Sequence, residues 1–207
     1  MQKPEHKLEW LIWGVLIAVC VGVTALYITQ LGKTKLKVLR HLPDFTLTNQ
    51  TGKPVSLASL RGDVWLANII FTRCPGPCAR MTKQFAEIQS ALPTNKRLKL
   101  VTLTADPDFD TSSVLAGYAE RFGADSSSWY FLTGTKKEIY RLALEGLMLA
   151  VQEKTPDQQT SSDDLFIHST LFVLVDKKGN VRSFYESTDE GVNQRILTDM
   201  KQLARER

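Results

Sequence analysis

The run Val64–Phe71 is apolar almost from end to end, so a strand built from it is hydrophobic on both faces. Such a strand is stable only inside a sheet covered on both sides, and the chain around it must supply the covering helices. Helical material follows at once, because Met81, Phe85 and Ile88 keep the spacing of a helix buried along one face. Between strand and helix stands Cys74-Pro75-Gly76-Pro77-Cys78, which ends one element with a thiol and opens the next with another. A helix N-terminus gathers unpaired N–H groups and positive potential, favouring thiolate over thiol. The pentapeptide is therefore either a redox centre or the soft half of a metal site, and both uses fit its place.

The rest of the chain supports the same architecture. Phe45, Leu47, Val55 and Leu57 alternate around the turn Asn49-Gln50-Thr51-Gly52 as a hairpin would, and Lys99–Thr104 resembles a second buried strand. Asp106-Pro107 and Asp110-Thr111 read as turn and N-cap signals ahead of the helical pattern Leu115, Tyr118, Ala119 and Phe122. Trp129–Leu132 follows as a short strand; Ile139, Leu142, Ala143 and Leu147 lie at helical spacing; the stretch Gln152–Asp164 is polar and loop-like. Leu171–Val175 and Val181–Tyr185 flank the turn residues Gly179 and Asn180, and Val192, Ile196, Met200 and Leu203 close the chain as an amphipathic helix. Hairpin, strand, helix, strand, helix, strand, helix, hairpin, helix is the order of an α/β fold, a thioredoxin-like mixed sheet flanked by helices.

With 207 residues, 43% of them hydrophobic, the chain holds one sizeable core. Trp10 to Gly32 contains no charged residue and is expected to form an N-terminal transmembrane helix, with Trp10, Trp13 and Tyr27 near its ends. A cleaved signal peptide is the competing reading, but the apolar core outruns the usual length of one. Cys20, preceded by the bulky Val19, reads as a small apolar residue in the membrane and not as a lipid attachment point. The expected division is a short tail over 1–9, a transmembrane anchor over 10–32, a linker over 33–42 and the globular domain over 43–207. Lys33, Lys35, Lys37 and Arg40 outnumber Lys3 and Lys7, which by charge alone would keep the domain inside. A dithiol on an anchor instead suits an oxidising compartment, so the domain is expected to be periplasmic or otherwise extracytoplasmic. Basic residues exceed acidic ones only by 26 to 22, without a basic stripe, so no nucleic-acid partner is expected.

Two thiolates enclose a metal poorly, and a third donor would have to come from His6, His41 or His168. His6 precedes the membrane segment and His41 lies in the linker, whereas His168 stands where the polar loop enters the strand Leu171–Val175. At this point the chain resembles the Sco/SenC family, membrane-anchored thioredoxin-like proteins that serve assembly of the binuclear copper centre of cytochrome c oxidase. The likeness is carried by Pro43-Asp44-Phe45, by Leu60-Arg61-Gly62-Asp63-Val64-Trp65-Leu66-Ala67-Asn68, by Phe71-Thr72-Arg73-Cys74-Pro75-Gly76-Pro77-Cys78, by Ala105-Asp106-Pro107 with Asp110-Thr111, and by Ile167-His168-Ser169. The resemblance implies that Cys74, Cys78 and His168 are metal ligands and that the cargo is copper. It also implies as partners the copper-binding subunit of the oxidase and a thiol-disulfide reductant. Ala79 departs from the family, which usually has Pro after the second Cys, so the start of the helix loses that rigidity. Donor chemistry agrees with copper: two thiolates and an imidazole form a three-coordinate set that Cu(I) accepts and structural zinc, wanting four ligands, does not. Cu(II) would need an added oxygen or water ligand.

Two other functions compete. A membrane-anchored thiol-disulfide oxidoreductase, reducing the oxidase subunit before metal insertion, would use Cys74 and Cys78 as a redox-active pair and need His168 little. A peroxide-reducing enzyme would want Thr or Ser three residues before its Cys, where this chain has Phe71.

Overall fold

The computed structural model describes residues 5–31, 36–74, 76–93, 97–159 and 165–206, without the side chains of 5–8 and 26–31. Pro75, the start of the tail, Gly32, Lys33, Lys35 and the end of the polar stretch, all read above, lie outside the described residues. The chain forms two compact units, Met1–Leu36 and Lys37–Arg207.

The first unit is helix α1 (Glu5–Leu31), which begins inside the segment read as a tail. Its described side chains are exposed, Trp10, Leu11, Ile12 and Trp13 among them. Among the described residues no helix is long and apolar enough to cross a membrane, so the transmembrane span expected over 10–32 is not shown.

The second unit begins with β1 (Arg40–His41), β2 (Thr46–Asn49), β3 (Pro54–Ser56) and the single turn α2 (Leu57–Leu60). Then come β4 (Val64–Ile70), α3 (Pro77–Ala91), β5 (Leu98–Thr104), α4 (Ser112–Arg121) and β6 (Trp129–Thr133). Helix α5 (Lys136–Arg141) widens into a π-turn over Leu142–Gly146 and leads to β7 (Val151–Glu153), a 3-10 turn at Pro156–Gln158 and β8 (Phe166–His168). β9 (Leu171–Val175), β10 (Asn180–Glu186) and α6 (Val192–Arg205) complete it. Eight strands form one sheet in the order β1-β10-β9-β4-β5-β6-β2-β3, and β7 pairs with β8 alone.

β4 and β5 are buried at every residue, as their apolar runs require, and lie side by side in parallel register from Val64 opposite Leu98 to Ile70 opposite Thr104. β6 extends the parallel set, and β9 closes the other flank of β4 antiparallel. Because β4, β5 and β6 step in one direction, right-handed crossovers put α3 and α4 on the same face. α6 packs there too, against α3 and β4. Phe85 of α3 presses between Trp129 and Phe172, at ring-centroid distances of 5.7 and 5.0 Å, and the indole N–H of Trp129 donates to Thr102 Oγ1 at 2.9 Å. This places the N-terminus of α3 over the C-terminal edge of the parallel strands, where α/β sheets form their crevice.

Two readings of the sequence change here, and a third, which left the cap of α4 to Asp110 or Thr111, is decided. Arg40 and His41, read as linker, pair with Val181 and Asn180 as an edge strand. Thr111 and not Asp110 caps α4, its hydroxyl accepting from Val114 N at 3.4 Å. The polar stretch after Gln152 is not all loop, since Val151–Glu153 pairs antiparallel with Phe166–His168.

Candidate metal centre

β4 ends at Ile70 and the chain turns immediately: Cys74 N donates to Phe71 O at 3.2 Å, so Thr72 and Arg73 are the middle of a turn whose last residue is Cys74. Gly76 then stands at the start of α3 without a side-chain cap, and Pro77 opens the helix, where its missing N–H costs nothing. Cys78 falls in the first helical turn and is wholly buried, whereas Cys74 is half-buried. His168 arrives from elsewhere, as the last residue of β8, opposite Val151. The Phe71 ring braces this strand, 5.1 Å from the Phe166 ring and edge-on to the His168 imidazole at 5.7 Å.

The structure brings Cys74, Cys78 and His168 together, with one donor atom of each within 4.8 Å of the others. No other His, Cys, Asp or Glu cluster of this kind occurs among the described residues. His168 Nδ1 lies 3.1 Å from Ser169 O, and its Nε2 lies 3.1 Å from Cys78 Sγ. A carbonyl that fixes the ring through its other nitrogen is the usual support of a ligating histidine.

The two thiols share one proton between them. Cys74 is pulled down to about 4, first by the hydrogen bond from Cys78, against the opposing effect of its own burial, and further by His168 and the N–H groups of Gly76 and Cys78. Cys78 is pushed up, mainly by burial and then by the adjacent Cys74 sulfur. The arrangement favours the thiolate at 74 and the thiol at 78, and both cysteines are free of any disulfide. The result is a preformed set of two sulfurs and one nitrogen, open on the Cys74 side.

The remaining residues singled out in the sequence sort themselves clearly. Trp65 and Trp129 are fully buried and Phe71 nearly so. His41 is remote in the fold, its Nδ1 at 2.5 Å from Asn180 Oδ1 in the β9–β10 turn, and the His6 side chain lies outside the described residues. Arg73 donates to Asp106 Oδ2 at 2.6 Å and covers the Phe109 ring at 4.0 Å. Asp110 is wholly buried and bonded to the turn before Cys74. Thr82 and Tyr118 escaped sequence reading: Thr82 Oγ1 donates to Cys78 O at 2.8 Å, which leaves Tyr118 Oη, 3.0 Å away, as the donor to Thr82. The signal was present, since Thr82 lies one helical turn after Cys78.

Residues 34–205 match the SCO1/SenC family model. The SCO1 protein homolog of Bacillus subtilis is 31% identical over 191 residues, which cover 90% of this chain and 96% of the relative. A protein of Stutzerimonas stutzeri named for copper binding is 30% identical over 145 residues, covering 69% and 68%. Among solved structures, a SCO1/SenC family lipoprotein of Bacillus anthracis superposes with a TM-score of 0.72 at 32% identity, covering 81% of this chain and 98% of that one. BsSco, described as a Sco-family cytochrome c oxidase assembly protein with a disulfide switch, gives 0.70 at 30% identity, covering 83% and 98%. The family match spans the sheet, the cysteine turn and the histidine strand alike, and the chain belongs to the SCO1/SenC family.

Proposed function

We propose that this protein is a copper metallochaperone that delivers copper to the binuclear copper site of cytochrome c oxidase, with Cys74, Cys78 and His168 as the ligands. The observation that carries the reading is the convergence of these three donors from two separate parts of the chain. Two sulfurs and one imidazole match the preference of Cu(I) for soft, low-coordinate surroundings, and Cu(II) would be served with an added oxygen ligand. The partly exposed Cys74 gives an acceptor thiolate on the oxidase subunit a way in, so that ligands exchange one at a time. The Stutzerimonas stutzeri relative and the BsSco description support copper and oxidase assembly respectively. On this reading the N-terminal segment holds the domain at the outer face of a membrane, in keeping with a lipoprotein relative.

The test is copper content after anaerobic reconstitution of the reduced protein. Near-stoichiometric copper is expected, and His168→Ala should lower affinity by roughly 10-fold or more, since it removes a direct donor. Unchanged affinity in His168→Ala would sink the three-ligand site.

A second reading, a thiol-disulfide oxidoreductase acting on the oxidase subunit, is favoured by the low-lying Cys74 thiolate. In that reaction Cys74 attacks one sulfur of the partner disulfide and the other leaves as thiolate. Cys78 then gives up its proton and displaces the partner, closing Cys74–Cys78 as the oxidised product. Turnover that survives His168→Ala but not Cys78→Ala would select this reading.

A further inference from the structure

We infer that Asp110 is a positioning residue for the metal centre: its buried carboxylate grips the turn that presents Cys74 and so fixes that sulfur against Cys78 and His168. The inference rests on the copper reading above.

In the sequence, Asp110 looks like a helix cap, but the structure gives that task to Thr111. Asp110 instead points inward, wholly buried, and its carboxylate collects three donors. Thr72 N donates to Oδ2 at 3.1 Å, the Thr72 hydroxyl donates to Oδ1, and the Thr104 hydroxyl donates to Oδ2 at 2.5 Å. Burying a carboxylate is expensive, and burial pushes Asp110 up despite the three hydrogen bonds, which all run to the end of β4 or the end of β5 and offset only part of that cost. Thr72 is thus held by both main chain and side chain. Arg73, the other central residue of the turn, is held by Asp106 from the same β5–α4 loop.

The loop that does the holding is itself fixed. Ala105 N donates to Ile70 O at 2.7 Å, Asp106 N to Thr104 Oγ1 at 2.9 Å, Asp110 N to Asp106 O at 2.8 Å, and Tyr140 Oη to Ala105 O at 3.2 Å. On its other side the turn meets β8 through the Phe71 ring. Cys78 is fixed by α3 and His168 by Ser169 O, so the one ligand on irregular backbone is Cys74, and Asp110 supplies the clamp that a helix or strand would otherwise provide. Partners at this remove from a metal affect affinity by roughly 10- to 100-fold when removed, because a ligand free to wander must be ordered at each binding event.

The experiment compares Asp110→Asn, Thr72→Val and Thr72→Ser with the parent protein, reading copper affinity by chelator competition and the Cu(II)–thiolate absorption band. Asp110→Asn keeps the size of the side chain but turns a donor toward Thr72. It should weaken copper by about 10- to 100-fold at unchanged stoichiometry and shift the band. Thr72→Val should follow it and Thr72→Ser should restore both readouts, which loss of bulk stability would not do. Asp176→Asn, in a buried carboxylate network at the β9–β10 turn, is the stability control and should leave affinity alone. Parent-like affinity and spectrum in Asp110→Asn, or an equal loss in Asp176→Asn, would overturn the inference. A metal-free readout separates it from the copper reading: the equilibrium of the Cys74–Cys78 pair with glutathione should move toward the disulfide in Asp110→Asn, as the reduced pair loses its fixed geometry. If the parent protein takes up no copper, the metallochaperone reading fails, and this equilibrium alone decides whether Asp110 positions Cys74.

Discussion

Replacing Cys78 by Ala tests the charge state of the cysteine pair, and the structure sets the size of the effect. The hydrogen bond from Cys78 is the largest cause holding Cys74 at about 4, ahead of the His168 and backbone contributions. Without it, Cys74 climbs toward the ordinary thiol value of about 8.5, where only about 3% is thiolate at pH 7. A more basic thiolate is also a better nucleophile, and with a Brønsted slope near 0.45 a rise of about 4.5 pK units gains roughly 100-fold per thiolate. The two effects oppose each other and cancel near about pH 6.5. Below that pH the parent protein alkylates faster; above it the variant does.

The assay is pseudo-first-order alkylation of the reduced, metal-free protein by iodoacetamide, with Cys74 followed by peptide mass. The parent rate should be flat from about pH 5.5 to 8, and the variant rate should rise about tenfold per unit over the same range before levelling off. His168 and the N–H groups of the helix start still act in the variant, so the ordinary thiol value is an upper limit to the climb. A parent rate that itself rises tenfold per unit would show that Cys74 carries its proton at neutral pH, contrary to the geometry. A flat profile in Cys78→Ala would assign the effect to the helix terminus instead of the thiol.

Two further outcomes follow from the scaffold. Arg182→Met should cost about 3 kcal/mol, read as a lowered urea midpoint, because the buried Arg182 lies 2.8 Å from the buried Asp176 and its removal leaves that charge without its cation, held only by the N–H groups of Lys178 and Asn180. Gly179→Ala should cost about 1–2 kcal/mol in the same assay from its φ of +81° alone, and more because an added Cβ would stand 2.9 Å from Leu57 Cδ1. Neither change should alter the pH profile of Cys74.

The sequence displayed the central sheet because β4, β5 and β9 are buried on both faces and carry their apolar runs openly. Helices α3 and α6 were equally visible, since each buries one regular stripe: Met81, Phe85 and Ile88 in one, Val192, Ile196, Met200 and Leu203 in the other. What stayed hidden depends on distant partners. β1 and β7 are two and three residues long, too short for any alternation, and exist because β10 and β8 supply the other half of each ladder. Asp110 carries a sequence signature indistinguishable from a cap, and only the approach of Thr72, thirty-eight positions earlier, reveals its task. Cys74 and Cys78 announced themselves by placement. His168 did not, because what marks it is an approach to Cys78 across ninety positions, and the resemblance to the family supplied what periodicity could not.

Among the described residues, β7 and β8 bond to each other and to no strand of the main sheet. A two-stranded ribbon is marginal by itself, so its opening free energy lies well below that of β4 and β5, which sit at the centre of eight strands. Cys74 and Cys78 belong to the stronger unit and His168 to the weaker. An ion held by all three would therefore lock the ribbon to the sheet, and its binding energy would surface as slower amide exchange in Val151–Glu153 and Phe166–His168 while the central strands, already slow, changed little.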